Sequence, residues 1–84
     1  MKSYDYDRYL VMLNNSKHRF VTARAVDEDI DTGASREFLF IACEEKANGN
    51  IIAAKFEVSG QLVEIYLADG CQTLNDFVDT DIKN

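Results

Sequence analysis

The run Asp27-Glu28-Asp29-Ile30-Asp31 places four carboxylates within five residues, with no basic residue among them. Such crowding costs self-repulsion that neither a helix nor a strand requires, so it points outward, to a cation or a basic partner surface. Asp27-x-Asp29-x-Asp31 reproduces the first three ligand positions of an EF-hand calcium loop. The match then breaks. Thr32 stands where that loop needs glycine, with Gly33 one place late. Phe38 stands where it needs a bidentate glutamate, with Glu37 one place early. The flanks also read as strands rather than helices, so no metal site is expected.

In an extended segment the same three aspartates project from one side, about 6.6–6.8 Å apart. That spacing is of the order of neighbouring phosphates on a nucleic-acid strand. Joined by Glu44, Glu45, Asp76, Asp79 and Asp81, the row would offer phosphate-like charge to a basic cleft. The competing reading is a solvated acidic loop between strands, its charge serving solubility.

Tyr4, Tyr6 and Tyr9 interleave with Asp5 and Asp7. On an extended terminus this gives one aromatic and one anionic side. Tyrosine suits an interface because it buries large area at small entropic cost and keeps a polar tip. The alternative is that one or two of the rings pack on the sheet beside the C-terminal helix.

The remaining reactive side chains assemble no catalytic set. His18 is the only histidine and sits in the basic turn Ser16-Lys17-His18-Arg19; it reads as an exposed imidazole without metal companions or an orienting group. Lys17, Arg19 and Arg24 are expected to face the acidic loop that follows them, as surface pairs of small energetic weight. Cys43 lies in the most apolar run and reads as a core residue. Cys71 precedes a helix start, where a thiol can become reactive, but its acidic surroundings oppose the thiolate. Ser3, Ser16, Ser35 and Ser59 lack a nucleophile-elbow context, and the four glycines match no phosphate-binding loop. No enzyme activity and no cofactor are expected.

The elements that must carry these residues come from 84 positions, read as one compact α+β domain over 1–84. The chain has 46% apolar residues and a net charge of −6, from fifteen acids against nine bases. This excludes disorder as a default and disfavours direct contact with nucleic acid or anionic membrane, both polyanions. No run approaches the roughly 20 apolar residues of a membrane span. Met1 to Asp7 lacks a signal-peptide core and Cys43 and Cys71 form no disulfide framework, so a cytoplasmic setting is expected.

Turn signals at Asn14-Asn15-Ser16, Thr32-Gly33-Ala34-Ser35, Asn48-Gly49-Asn50, Ser59-Gly60 and Asp69-Gly70 divide the chain, which has no proline. Phe38-Leu39-Phe40-Ile41-Ala42-Cys43 is a strand-length apolar run suited to burial on both faces. Asn48-Gly49 signals a type I′ turn into a strand over 51–58, and Ser59-Gly60 turns the chain into another over 62–67. In that last strand Leu62, Glu64 and Tyr66 are expected to share one face, opposite Val63, Ile65 and Leu67. Tyr9–Leu13 and Phe20–Val26 read as a further hairpin, with a helix followed by a strand as the alternative.

Leu74, Phe77, Val78 and Ile82 fall on one helical face, with Thr73 placed to cap and Asp76 three residues on. The expected architecture is therefore an antiparallel meander of four to five strands with a C-terminal amphipathic helix packed on it. The expected function is that of a small acidic protein-binding module. Such a module inhibits by occupying a basic, nucleic-acid-binding surface of a partner, as in viral anti-defence or toxin-immunity proteins. Its contacts would be Asp27, Glu28, Asp29 and Asp31, then Tyr4, Asp5, Tyr6 and Asp7. A structural subunit that self-associates through a strand edge is the alternative.

Overall fold

Helix α1 (Tyr4–Asn15) opens the chain, followed by strands β1 (Phe20–Glu28), β2 (Ser35–Glu44), β3 (Ile51–Glu57) and β4 (Leu62–Leu67), and a one-turn helix α2 (Leu74–Phe77). The computed structural model describes residues 4–45, 48–68, 71 and 73–78. The Asp69-Gly70 turn and residues 79–84, with Asp79, Asp81 and Ile82, lie outside that set. The strands form one antiparallel sheet in the order β1-β2-β3-β4, each pairing with its neighbour in the chain.

The apolar run of β2 is buried on both sides, as its composition requires. Phe38, Phe40 and Ala42 face one layer with Ile51, Ala53, Leu74 and Phe77. Leu39, Ile41 and Cys43 face the other with Leu13, Ala54 and Phe56. Helix α2 covers the first face, where the Phe77 ring lies 6.3 Å from that of Phe40. Thr73 caps it, its hydroxyl accepting the Asp76 N–H at 3.1 Å. Of the expected C-terminal helix the described residues show the single turn Leu74–Phe77, and Ile82 falls outside them.

Helix α1 covers the second face and replaces the expected first hairpin strand. Tyr6, Tyr9, Leu10 and Leu13 recur at helical spacing and pack on Phe56 and its neighbours. The Tyr6 and Tyr9 rings meet Phe56 edge-on at 5.2 and 5.9 Å. Residues 9–13 look like a strand because Val11 and Met12, both apolar, occupy the exposed side of the helix. Asp5 and Asp7 in the first turn favour the helical state through the helix dipole. The helix ends in a Schellman arrangement: His18 N–H reaches Leu13 O at 3.0 Å and Lys17 N–H reaches Asn14 O at 3.2 Å, with Lys17 at φ 57°.

One turn and one strand differ from expectation. The β2–β3 connection runs from Glu45 to Asn50, closed by the Glu45 N–H to Asn50 O bond at 2.8 Å. Only Gly49 there has positive φ among the described residues, whereas a type I′ turn needs two such residues. In β4 the register passes from Lys55↔Glu64 to Phe56↔Leu62, so Val63 is the extra residue of a bulge. The bulge brings Leu62 onto the face of Phe56, Ile65 and Leu67 instead of that of Glu64 and Tyr66.

Candidate acidic interface

Strands β1 and β2 outrun β3. The last three-strand row contains Phe38 opposite Glu57, while Val26↔Glu37, Asp27↔Arg36 and Glu28↔Ser35 continue as a two-stranded ribbon. Three further pairs extend it about 10 Å past β3. The acidic run therefore sits at the tip of a projecting hairpin.

The tip is held by its own backbone. Asp29 N–H donates to Ala34 O and Gly33 N–H to Asp29 O, each at 2.7 Å. The Asp29 carboxylate accepts the Asp31 N–H at 2.9 Å, and Thr32 Oγ1 accepts the Ala34 N–H at 3.2 Å. Gly33 supplies the positive φ of 72° that the closure requires. This geometry separates the aspartates by structural role. Asp27 is a strand residue, Asp29 folds back on the loop, and Asp31 lies in the turn, so the extended row of phosphate-like spacing does not form. No three His, Cys, Asp or Glu side chains converge as metal ligands among the described residues.

Part of the charge is compensated. Lys55 Nζ lies 3.3 Å from Asp27 and 4.1 Å above the Phe38 ring, and Arg36 reaches Glu57 at 3.0 Å while passing over the same ring. These two pairs brace the ribbon against β3. Arg24 pairs with Glu37 at 2.8 Å and Arg19 with Glu44 at 3.7 Å. Arg19 and Arg24 thus address β2 and not the acidic run. The side chains of Glu28 and Asp31 form no ion pair or hydrogen bond among the described residues and are exposed.

The second acidic segment comes to the same end of the sheet. Tyr6 N–H donates to Gly60 O at 3.0 Å, and the Asp5 carboxylate accepts the Leu62 N–H at 2.9 Å. The start of α1 is thereby fixed at the β3–β4 turn, the end from which the β1–β2 tip projects. Asp7 is exposed there. Tyr6 serves the core through Phe56, on the face opposite α2; Tyr4 opens α1. Glu44 and Glu45 lie at the other end, and Asp76 is in α2, so the wider set of acids is divided between two ends.

The residue missed in the sequence is Ile30. It is 96% exposed at the apex, between Asp29 and Asp31. Its signal was an isoleucine inside an otherwise charged run, with no periodicity to take it into the core.

At the opposite end His18, Arg19, Glu44, Thr73 and Asn75 line a cavity of about 460 Å³. His18 is half-buried, not exposed as expected, and its Nδ1 is buried without a described hydrogen-bond partner. Cys43 is buried. Tyr9 packs in the same cluster, and burial raises both groups, Tyr9 to about 12. Cys71 packs against the core beside α2. No helix among the described residues is long and apolar enough to cross a membrane. Compared with protein-family models, curated proteins and solved structures, the chain matches none of them.

Proposed function

We propose that this chain is an acidic protein-binding module that inhibits by occupying a basic, nucleic-acid-binding surface of a partner protein. The observation that carries this reading is the projecting β1–β2 tip, where Glu28 and Asp31 have no described partner and Ile30 stands fully exposed between carboxylates. An apolar residue ringed by charge has the layout of a small interface: a centre that loses water on contact and a polar rim that sets register. Asp5 and Asp7 at the same end of the sheet add to its negative field. The net charge of −6 accelerates encounter with a cationic surface and repels competing nucleic acid.

The mode of action is stoichiometric blockade, without chemistry on the partner. It does not depend on matching phosphate spacing. The tip acts as a charged plug with an apolar point.

Affinity capture from lysate at low and high salt, read by mass spectrometry, tests the reading. A basic nucleic-acid-binding protein is expected at low salt and is released as salt screens the contact. The variant Asp27→Asn, Glu28→Gln, Asp29→Asn, Asp31→Asn keeps the side-chain acceptor of the loop turn and removes four charges. It is expected to weaken capture at least about tenfold. Equal capture by the variant, or capture indifferent to salt, overturns the assignment of this site.

A further inference from the structure

The two edges of the sheet are built differently. Edge strand β1 carries Thr22, Arg24, Asp27 and Glu28, and charge of both signs discourages pairing with another chain. Edge strand β4 carries a single charge, Glu64, and no lysine, arginine or proline. Its apolar residues are exposed: Leu62 at 38%, Val63 at 47%, Ile65 at 52% and Leu67 at 54%. Met12 on α1 is half-exposed. The Asp5–Leu62 hydrogen bond turns one side of α1 toward β4, and Met12, seven residues on, is on that same side.

We infer that β4 is a pairing edge for a second copy of this chain, forming a two-fold antiparallel β4–β4 dimer centred on Ile65. The backbone supplies the register. Ala68 N–H donates to Ile51 O, so by alternation positions 64 and 66 address β3 while Ile65 and Leu67 direct their N–H and C=O outward. Two Ile65 residues brought opposite each other exchange both backbone hydrogen bonds. Leu67 then meets the bulged Val63 of the second copy and the Leu62 N–H is already taken by Asp5, so the ladder is short and centred on Ile65.

Charge selects this register over its neighbour. Centred on Ile65, Glu64 lies opposite Tyr66 of the second copy. Centred on Glu64, two carboxylates meet directly, which is destabilising. The outcome is an eight-stranded sheet in which Ile65, Leu67 and Met12 of each copy join one apolar strip beside the two α1 helices.

A six-residue strand is about 20 Å long, and together with the flank of α1 it gives a footprint on the order of 400 Å² per copy. That is below the standard size of a permanent interface and suits a reversible dimer. Each copy carries −6 while the edge itself is almost uncharged, so long-range repulsion opposes association and salt relieves it. The salt response is opposite in sign to that of the acidic tip, which separates failure of this inference from failure of the functional reading.

Sedimentation equilibrium across micromolar to near-millimolar protein, at low and high salt, tests the dimer. Wild type is expected to move from monomer to dimer mass, at lower concentration in high salt. Ile65→Lys and Leu67→Lys, both at exposed positions, are each expected to weaken association at least about tenfold. Val26→Lys on β1 is expected to leave it unchanged, and circular dichroism checks that each variant is folded. Monomer mass throughout, unchanged association of the folded Leu67→Lys variant, or equal weakening by Val26→Lys overturns the proposal.

Discussion

The Asp5 carboxylate accepts the backbone N–H of Leu62 at 2.9 Å, tying the first turn of the first helix to the start of the last strand across 57 positions. The bond holds α1 over Phe56 and satisfies a strand donor that the bulge at Val63 leaves without a β3 acceptor. Asp5→Ala removes the acceptor and a favourable charge at the helix start, and is expected to cost about 1–2 kcal/mol in urea unfolding. Asp5→Asn keeps an acceptor oxygen and is expected to lose less than half of that.

Lys17 ends α1 in the left-handed region at φ 57°, where a side chain is strained by roughly 1–2 kcal/mol. Lys17→Gly relieves the strain at the cost of a more flexible unfolded chain. A net gain of about 1 kcal/mol is expected, visible as a higher midpoint in thermal or urea unfolding.

Alkaline stability depends on the Tyr9–Cys43 pair. Burial holds Tyr9 up to about 12 against an ordinary 10.0, and raises Cys43 above its ordinary 9.0. The unfolded chain therefore releases these protons first. Their contribution to stability is whole below pH 9.0 and is lost as pH rises through the folded tyrosine value near 12. Melting temperature followed over that window is expected to fall. Tyr9→Phe is expected to shallow the fall and to remove a late-titrating component from the tyrosinate absorbance of the native protein.

Neutralising the tip tests whether its carboxylates serve folding or binding. The Glu28 and Asp31 side chains form no ion pair or hydrogen bond among the described residues, and Asp29 acts through an oxygen that asparagine retains. Asp27 gives up its charged pairing with Lys55, worth about 0.2–1 kcal/mol for a partly exposed pair. The four-site Asn/Gln variant is therefore expected to unfold within about 1 kcal/mol of wild type, while losing salt-sensitive capture. A large loss of stability would assign the run to the fold.

The meander was legible because Phe38–Cys43 can be satisfied only by burial on both faces, and because glycine punctuates each reversal. Thr73 and Asp76 likewise disclosed their cap through spacing alone. Helix α1 was obscured by Val11 and Met12, apolar residues on its outer side that give 9–13 the texture of a buried strand. The β4 bulge has no local signature: it arises from pairing with Lys55 and Phe56, so the faces of Leu62 and Glu64 could not be read from alternation. At the tip, composition disclosed the acids, but their separation into strand, turn and loop depends on long-range pairing of β1 with β2. The partners of Asp27 and Glu57 depend on Lys55 and Arg36 being carried beside them by the sheet.

Strand order that follows chain order has a kinetic consequence. Each hairpin can close over a short loop, on a microsecond scale, without waiting for distant segments to meet. The seating of α1 on Phe56 and β4 joins remote parts of the chain and bears the largest closure entropy. On closure entropy alone, the docking of the beginning of the polypeptide onto an assembled sheet is the step expected last.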